Sequence, residues 1–295
     1  PNTVVPAGDI GVGGREIGYM FGQYKKLTGR YEGILTGKGL NWGGSLARTE
    51  ATGYGTVYFA QNMLEDTGNS LEGKTCVVSG AGNVAIYTIE KLYELGAIPV
   101  SASDSRGTIY DRTGINLNTL KELKEKKKVS LAQYLDVHPH ATYTPVELYD
   151  AKMNPVWAIS CDVAFPCATQ NELNENAAKE LIKNGCMCVS EGANMPSTAD
   201  AVDLFIGTKN FLYGPGKAAN AGGVATSQLE MSQNASMQSW DFETVDNKLK
   251  NIMKGIYISC SETAKEYNST NNFVLGANIS GFKKVADAMI DQGSV

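Results

Sequence analysis

Two histidines, His138 and His140, are all that this sequence of 295 residues contains. Its six cysteines (Cys76, Cys161, Cys167, Cys186, Cys188, Cys260) form no C-x-x-C pair, so the donor set of a structural zinc site is missing and no metal is expected. Nor do they have the spacing of a small disulfide scaffold; reduced thiols and a cytoplasmic setting are the expectation. A basic surplus is absent too. With 26 Lys and Arg against 31 Asp and Glu, the net charge of −5 offers nothing to neutralise a phosphate backbone, which argues against nucleic acid as a partner. The densest basic stretch, KELKEKKK at 121–128, is broken by glutamates and reads as a solvated helix face. No apolar run approaches the ~20 residues of a membrane span, so no membrane partner is expected. Three N-x-S/T matches (Asn234, Asn268, Asn278) read as chance in a chain taken as non-secreted.

What is present is globular: 42% hydrophobic and 19% charged residues, at a length that suits two domains of ~100–200 residues each. Strand-like runs (KTCVVSG, AIPVSASDS, CDVAFPC, CMCVSEG, FLYGPGK) alternate with helical ones (NVAIYTIEKLYELG, NTLKELKEKKK, ENAAKELIKNG, NAGGVATSQLEMSQNA). That alternation predicts an α/β fold of the Rossmann type, a doubly wound and largely parallel sheet covered on both faces. Ahead of it, REIGYMFGQYKKL and EATGYGTVYFAQNMLED read as helices. After about residue 235 the strand signals stop and amphipathic helices follow. The expected core is therefore 50–230, with helical segments at either end.

CVVSGAGNVA places Gly80, Gly82 and Ala85 in a G-x-G-x-x-A pattern between a strand and a helix. The first glycine allows the tight turn, the second lets backbone approach a pyrophosphate, and the alanine permits close helix–strand packing. The amides of the helix start, Asn83 and Val84 included, would face the phosphates. At the end of the next strand, Asp104 could bond an adenosine ribose and favour NAD. Yet Ser103, Ser105 and Arg106 beside it could hold a 2′-phosphate if Asp104 points away or is itself hydrogen-bonded. On the residues alone NAD and NADP stay balanced. Lys127, in the basic stretch, is a further candidate phosphate partner.

Five stretches occur in order: PAGDIGVGGREIGYM, RTEATGYG (48–55), FPCATQNEL (165–173), EGANMPST (191–198) and GPGKAANAGGVATSQLEMSQN (214–234). Together they resemble the hexameric glutamate dehydrogenases along essentially the whole chain, and best the NADP-linked members, where SDS after the second strand is usual. The resemblance implies reversible NADP-dependent oxidative deamination of L-glutamate to 2-oxoglutarate and ammonia, with a homo-hexamer for the full-length protein. It casts Asp9 as the group that moves protons to and from amine, imine and water; a carboxylate among glycines is open to tuning by burial and neighbouring cations. It casts Arg48, Val224 and Ser227 as substrate-binding, Ser227 through the γ-carboxylate. To the cofactor it assigns Thr52, Ala168, Thr169, Gln170, Ala193, Asn194 and Asn220, beside the fingerprint residues and Asp104, Ser105 and Arg106. On its own, a helix serine such as Ser227 more often bonds the carbonyl one turn back, and Gly222–Gly223 more often forms a close helix junction.

The family also has a glycine-rich, lysine-bearing segment that binds the substrate carboxylates, expected ahead of Asp9. This chain has none, and LTGKGLNWGG matches a different stretch. Residues 1–49 are thus expected to be the remnant of a substrate domain and its linker, 50–230 the dinucleotide-binding domain, and 231–295 helices returning toward the substrate domain. The isolated chain is then expected to be inactive. Two other readings stay open: a leucine, valine or phenylalanine dehydrogenase of the same superfamily, which would want an apolar residue at Ser227, and a catalytically silent dinucleotide-binding module.

Overall fold

The computed structural model describes residues 5–9, 11–150 and 153–293. Along the chain, α1 (Gly14–Thr28) and α2 (Ala51–Glu65) lead into β1 (Thr75–Val78), α3 (Asn83–Glu94), β2 (Ile98–Pro99), β3 (Ser101–Asp104) and β4 (Gly107–Tyr110). Then come α4 (Leu117–Lys121), β5 (Thr142–Pro145), β6 (Val163–Phe165), α5 (Glu175–Lys183), β7 (Cys188–Ser190), α6 (Ala199–Gly207) and β8 (Leu212–Gly214). Four helices close the chain: α7 (Gly216–Ala219), α8 (Gly222–Ser236), α9 (Phe242–Glu266) and α10 (Phe273–Gln292).

The expected parallel sheet is there, five strands in the order β2-β1-β6-β7-β8. Apart from Thr75 and Ser190 its strands carry no polar side chain of the Ser or Thr kind and no charge, because both faces are covered. Alternate residues serve opposite faces: Cys76, Val78, Val163 and Phe165 join one buried cluster with α2, α3 and α9, while Val77 and Ala164 join another with Trp157, α5 and α6. The chain leaves β1 toward β2 on one side and returns to β6 on the other. A crevice opens at the carboxyl ends of β1 and β6, the switch point where ligands collect in such sheets.

One expected strand is corrected. AIPVSASDS is not continuous: Ile98–Pro99 pairs in parallel with β1, whereas Ser101–Asp104 turns into a three-stranded antiparallel sheet with β4 and β5. Side chains replace the ladder where the strand departs. Ser101 Oγ accepts from Val78 N (2.9 Å) and donates to Val78 O (3.1 Å), and Ser103 Oγ accepts from Gly80 N (2.9 Å). The antiparallel sheet itself was not legible, since its strands are four residues each and its hairpin turn is only Ser105–Arg106.

Helix α2 is buried nearly all round, as a helix enclosed by protein must be. It meets α8 backbone to backbone: a Cβ on Gly222 would lie 3.0 Å from Gly55 Cα, so Gly222 forms the close helix junction. The 34–45 segment is tied to α8 as well. Thr36 Oγ1 bonds Ser227 Oγ (3.0 Å), and Glu230 accepts from the amides of Gly37 (2.9 Å) and Lys38 (3.2 Å). Lys38 Nζ lies 2.7 Å from Glu230 Oε1, with both side chains fully buried. Gln233 and Asn234 bond Ser45 Oγ and Gly43 O. At the far end, α9 lies against α2 and α8, and α10 against α9.

Candidate active site and cofactor cleft

A cleft of about 1360 Å³ runs from the carboxyl edge of the sheet across to the loop before α1. On the sheet side its wall is the fingerprint loop. Gly80 has φ +88°, and a Cβ there would lie 2.8 Å from Cys167 O, so the position admits glycine alone. Gly82 is different: nothing lies within 4 Å of where its Cβ would be. It precedes α3 without any side-chain cap, so the first amides of that 12-residue helix are left for a ligand. Ala85 is wholly buried against the sheet.

Asp104 is not free to take a ribose. Its Oδ1 accepts from Arg106 N (2.9 Å), and its Oδ2 from Lys124 Nζ (2.9 Å) and Leu131 N (3.2 Å). Burial alone would raise this carboxyl; the Lys124 and backbone hydrogen bonds hold it below the ordinary carboxylate value. The condition for a 2′-phosphate site, an aspartate already bonded, is therefore met. Ser105 lines the cleft and is exposed, while Arg106 is exposed outside its lining. Lys124, missed in the sequence because KELKEKKK read as solvated, lines the cleft; Lys127 instead pairs with Glu122 (3.8 Å) at the surface.

Beneath the loop at 167–169 sits a second group the sequence reading passed over. Glu172 Oε1 accepts from Ser79 Oγ (2.9 Å), Ala168 N (2.9 Å) and Thr169 N (3.3 Å), pinning that loop to the end of β1. Its burial pushes the carboxyl up to about 7 against those hydrogen bonds. The residue lies inside FPCATQNEL, so the motif held the signal; only folding shows that its glutamate is the anchor.

On the opposite wall, Asp9 is exposed and its side chain makes no hydrogen bond or ion pair among the described residues. Arg48 also lines the cleft; its Nε is buried and unbonded, and burial lowers its affinity for the proton while Glu230 counters. A half-buried guanidinium whose hydrogen-bonding is incomplete suits a carboxylate ligand.

The cleft gathers Asp9, Arg48, Thr52, Gly80, Gly82, Asn83, Val84, Asp104, Ser105, Ala168 and Thr169. Other expected residues lie off its lining. Ser227 is buried behind Thr36, which does line it, and Val224 is 71% exposed on α8. Gln170 is exposed. Asn220 Nδ2 donates to Asn194 Oδ1 (2.8 Å), which joins the loop after β7, with Ala193 in it, to the end of α7.

Comparison with known proteins agrees with this geometry. The family model for glutamate/leucine/phenylalanine/valine dehydrogenases matches residues 43–293. An NADP-specific glutamate dehydrogenase of Helicobacter pylori is 62% identical over 291 residues, covering 99% of this chain and 65% of its own length. An NAD-specific glutamate dehydrogenase of Bacteroides fragilis is 51% identical, covering 100% of this chain and 65% of its own length. The crystal structure of Plasmodium falciparum glutamate dehydrogenase superposes with a TM-score of 0.94 at 51% identity, over 99% of this chain and 62% of that one. The chain thus spans about 65% of the length of the curated relatives it matches. With a family match over residues 43–293 and a relative 62% identical over 99% of it, the chain belongs to the glutamate/leucine/phenylalanine/valine dehydrogenase family.

Proposed function

We propose that this chain supplies the cofactor domain and one wall of the catalytic cleft of an NADP-dependent glutamate dehydrogenase, interconverting L-glutamate with 2-oxoglutarate and ammonia. The observation that carries the reading is the cleft itself. It joins an uncapped helix start and an occupied Asp104 on one side to Asp9 and the open Arg48 on the other. The residues fit the cofactor: Gly82 leaves room for a pyrophosphate, and Lys124 with Ser105 borders the place for a 2′-phosphate. When bound, NADP would accept or supply the hydride.

The chain's own residues would do the rest. The amides of Asn83 and Val84 would bind phosphate, Arg48 would orient a substrate carboxylate, and Asp9 would hold or release a proton. Thr36 and Ser227 would form the polar floor beneath the substrate end. The NADP-specific name of the 62%-identical relative supports that cofactor, although the 51%-identical one is called NAD-specific. The same reading implies a cytoplasmic homo-hexamer. In its support, among the described residues no helix is long and apolar enough to cross a membrane. In addition, α10 leaves Phe282, Val285 and Met289 exposed, an apolar stripe for further protein to cover.

Fluorescence titration with NADPH and NADH tests the cofactor site. The expected result is saturable NADPH binding that Gly82→Asp abolishes, since the new carboxylate fits the fold yet opposes the pyrophosphate. Lys124→Ala should weaken NADPH about tenfold and spare NADH. NADPH binding untouched by Gly82→Asp would rule out this cleft as the dinucleotide site.

A further inference from the structure

Outside the cofactor cleft, the only two histidines of the sequence converge on a buried aspartate. Asp111 follows β4 directly, and His138 and His140 immediately precede β5, its antiparallel neighbour. One ring nitrogen of each histidine and one carboxylate oxygen lie within 4.8 Å of one another. They border a cavity of about 260 Å³, together with Tyr93, Gly114 and Asn116, which shares no residue with the cofactor cleft.

The surroundings are those of a supported ligand set. Asp111 Oδ1 accepts from Thr113 N (2.9 Å) and Thr113 Oγ1 (2.7 Å), and Oδ2 from Tyr134 OH (3.1 Å). Burial works against its charge, and the Thr113 bonds hold it below the ordinary carboxylate value. His138 stacks on Tyr134 with centroids 4.5 Å apart, and its Nε2 bonds Thr119 Oγ1 (2.9 Å), leaving Nδ1 without a partner among the described residues. His140 Nε2 lies 3.1 Å from Asp111 Oδ2. Two ligands on a tetrahedral ion with bonds of about 2.1 Å sit about 3.4 Å apart, so His140 and Asp111 would part by a few tenths of an ångström to admit an ion in place of their hydrogen bond. Partners that fix a ligating histidine and carboxylate from behind are what tune such sites.

We propose that Asp111, His138 and His140 form a binding site for a divalent transition ion of the zinc class, with three protein ligands and a position left open to water. Scarcity of histidine excluded a closed structural zinc site; it does not exclude this open one, because folding adds Asp111. The site does not rest on the proposed dehydrogenase activity. It also gives an unusually clean test, since the chain has no other imidazole and all six cysteines are buried.

Calorimetry with Zn2+ and absorption spectroscopy with Co2+, on untagged protein, would test it. One equivalent should bind, and His140→Ala, an exposed position, should weaken binding at least tenfold. His138→Ala should do the same, with circular dichroism reporting an intact fold. Zn2+ should also raise the melting temperature of the parent and not of His140→Ala. Absence of binding below about 1 mM, or binding that neither substitution weakens, would overturn the proposal.

Discussion

Asp9→Asn is expected to lower kcat about a hundredfold or more while leaving NADPH affinity within about twofold, in the enzyme at the length of its curated relatives. General acid–base groups contribute ~10²–10⁴-fold, and asparagine keeps the shape while removing the proton. The cleft has four acidic residues: Asp9, Glu50, Asp104 and Glu172. Asp104 and Glu172 each already accept three hydrogen bonds, which fixes them as structural anchors. Glu50, the residue before α2, is partly buried, and that burial raises its carboxyl above the ordinary value. Of the four, Asp9 alone is exposed, and its side chain has no partner among the described residues. Its loop is held nonetheless: Ala7 bridges Thr36, Val12 N donates to Asp9 O (2.8 Å), and Gly13 N donates to Glu16 Oε2 (2.9 Å) at the start of α1. A carboxylate on an anchored loop with no standing partner can exchange protons with a substrate. Steady-state kinetics of Asp9→Asn beside Glu50→Gln discriminates: loss of turnover in the second and not the first would move the proton-transfer role to Glu50.

Lys38→Met is expected to destabilise the fold by about 3–5 kcal/mol, the cost of leaving one member of a buried ion pair alone. Lys38 and Glu230 are both fully buried and 2.7 Å apart. The ammonium also donates to Ile34 O and Leu35 O (both 3.3 Å), so methionine would orphan two carbonyls beside the charge. The loss is local in origin but wide in effect, because this pair, with Thr36–Ser227, ties the 34–39 segment to α8. In a chain of this size, each kcal/mol corresponds to about 2–4 °C of melting temperature. Calorimetric unfolding should therefore show a fall of about 10 °C. A change of less than about 2 °C would mean that the pair does not hold the segment.

How far the sequence could be read depends on the range of the interactions. The β1–loop–α3 unit is legible because its constraints are local: Gly80 needs its turn, Ala85 its close packing, and both sit at fixed offsets. AIPVSASDS misleads because the break at Val100 is made by Ser101 bonding back to Val78 of β1 and Ser103 to Gly80 just beyond it, contacts between residues 23 apart. Lys124 could not be told from Lys127 by composition. A wider helical turn over Glu122–Lys127 turns one toward Asp104 and the other toward Glu122. Ser227 reads as a helix serine, yet its partner is Thr36, far away in sequence, so its burial behind the cleft needed the fold. The cluster at Asp111 illustrates the same limit, since two histidines read as too few until β4 and β5 bring the aspartate beside them.

The most direct measurement is the rate of NADPH oxidation with ammonium and a panel of oxo acids, by the enzyme at the length of its curated relatives. Turnover with 2-oxoglutarate, at least a hundredfold above the branched-chain and aromatic oxo acids in kcat/KM and faster with NADPH than with NADH, is the predicted result. A preference for the branched-chain or aromatic acids would contradict it and assign the chain to another branch of the family. Saturable NADPH binding with no turnover on any of them would leave only a binding module.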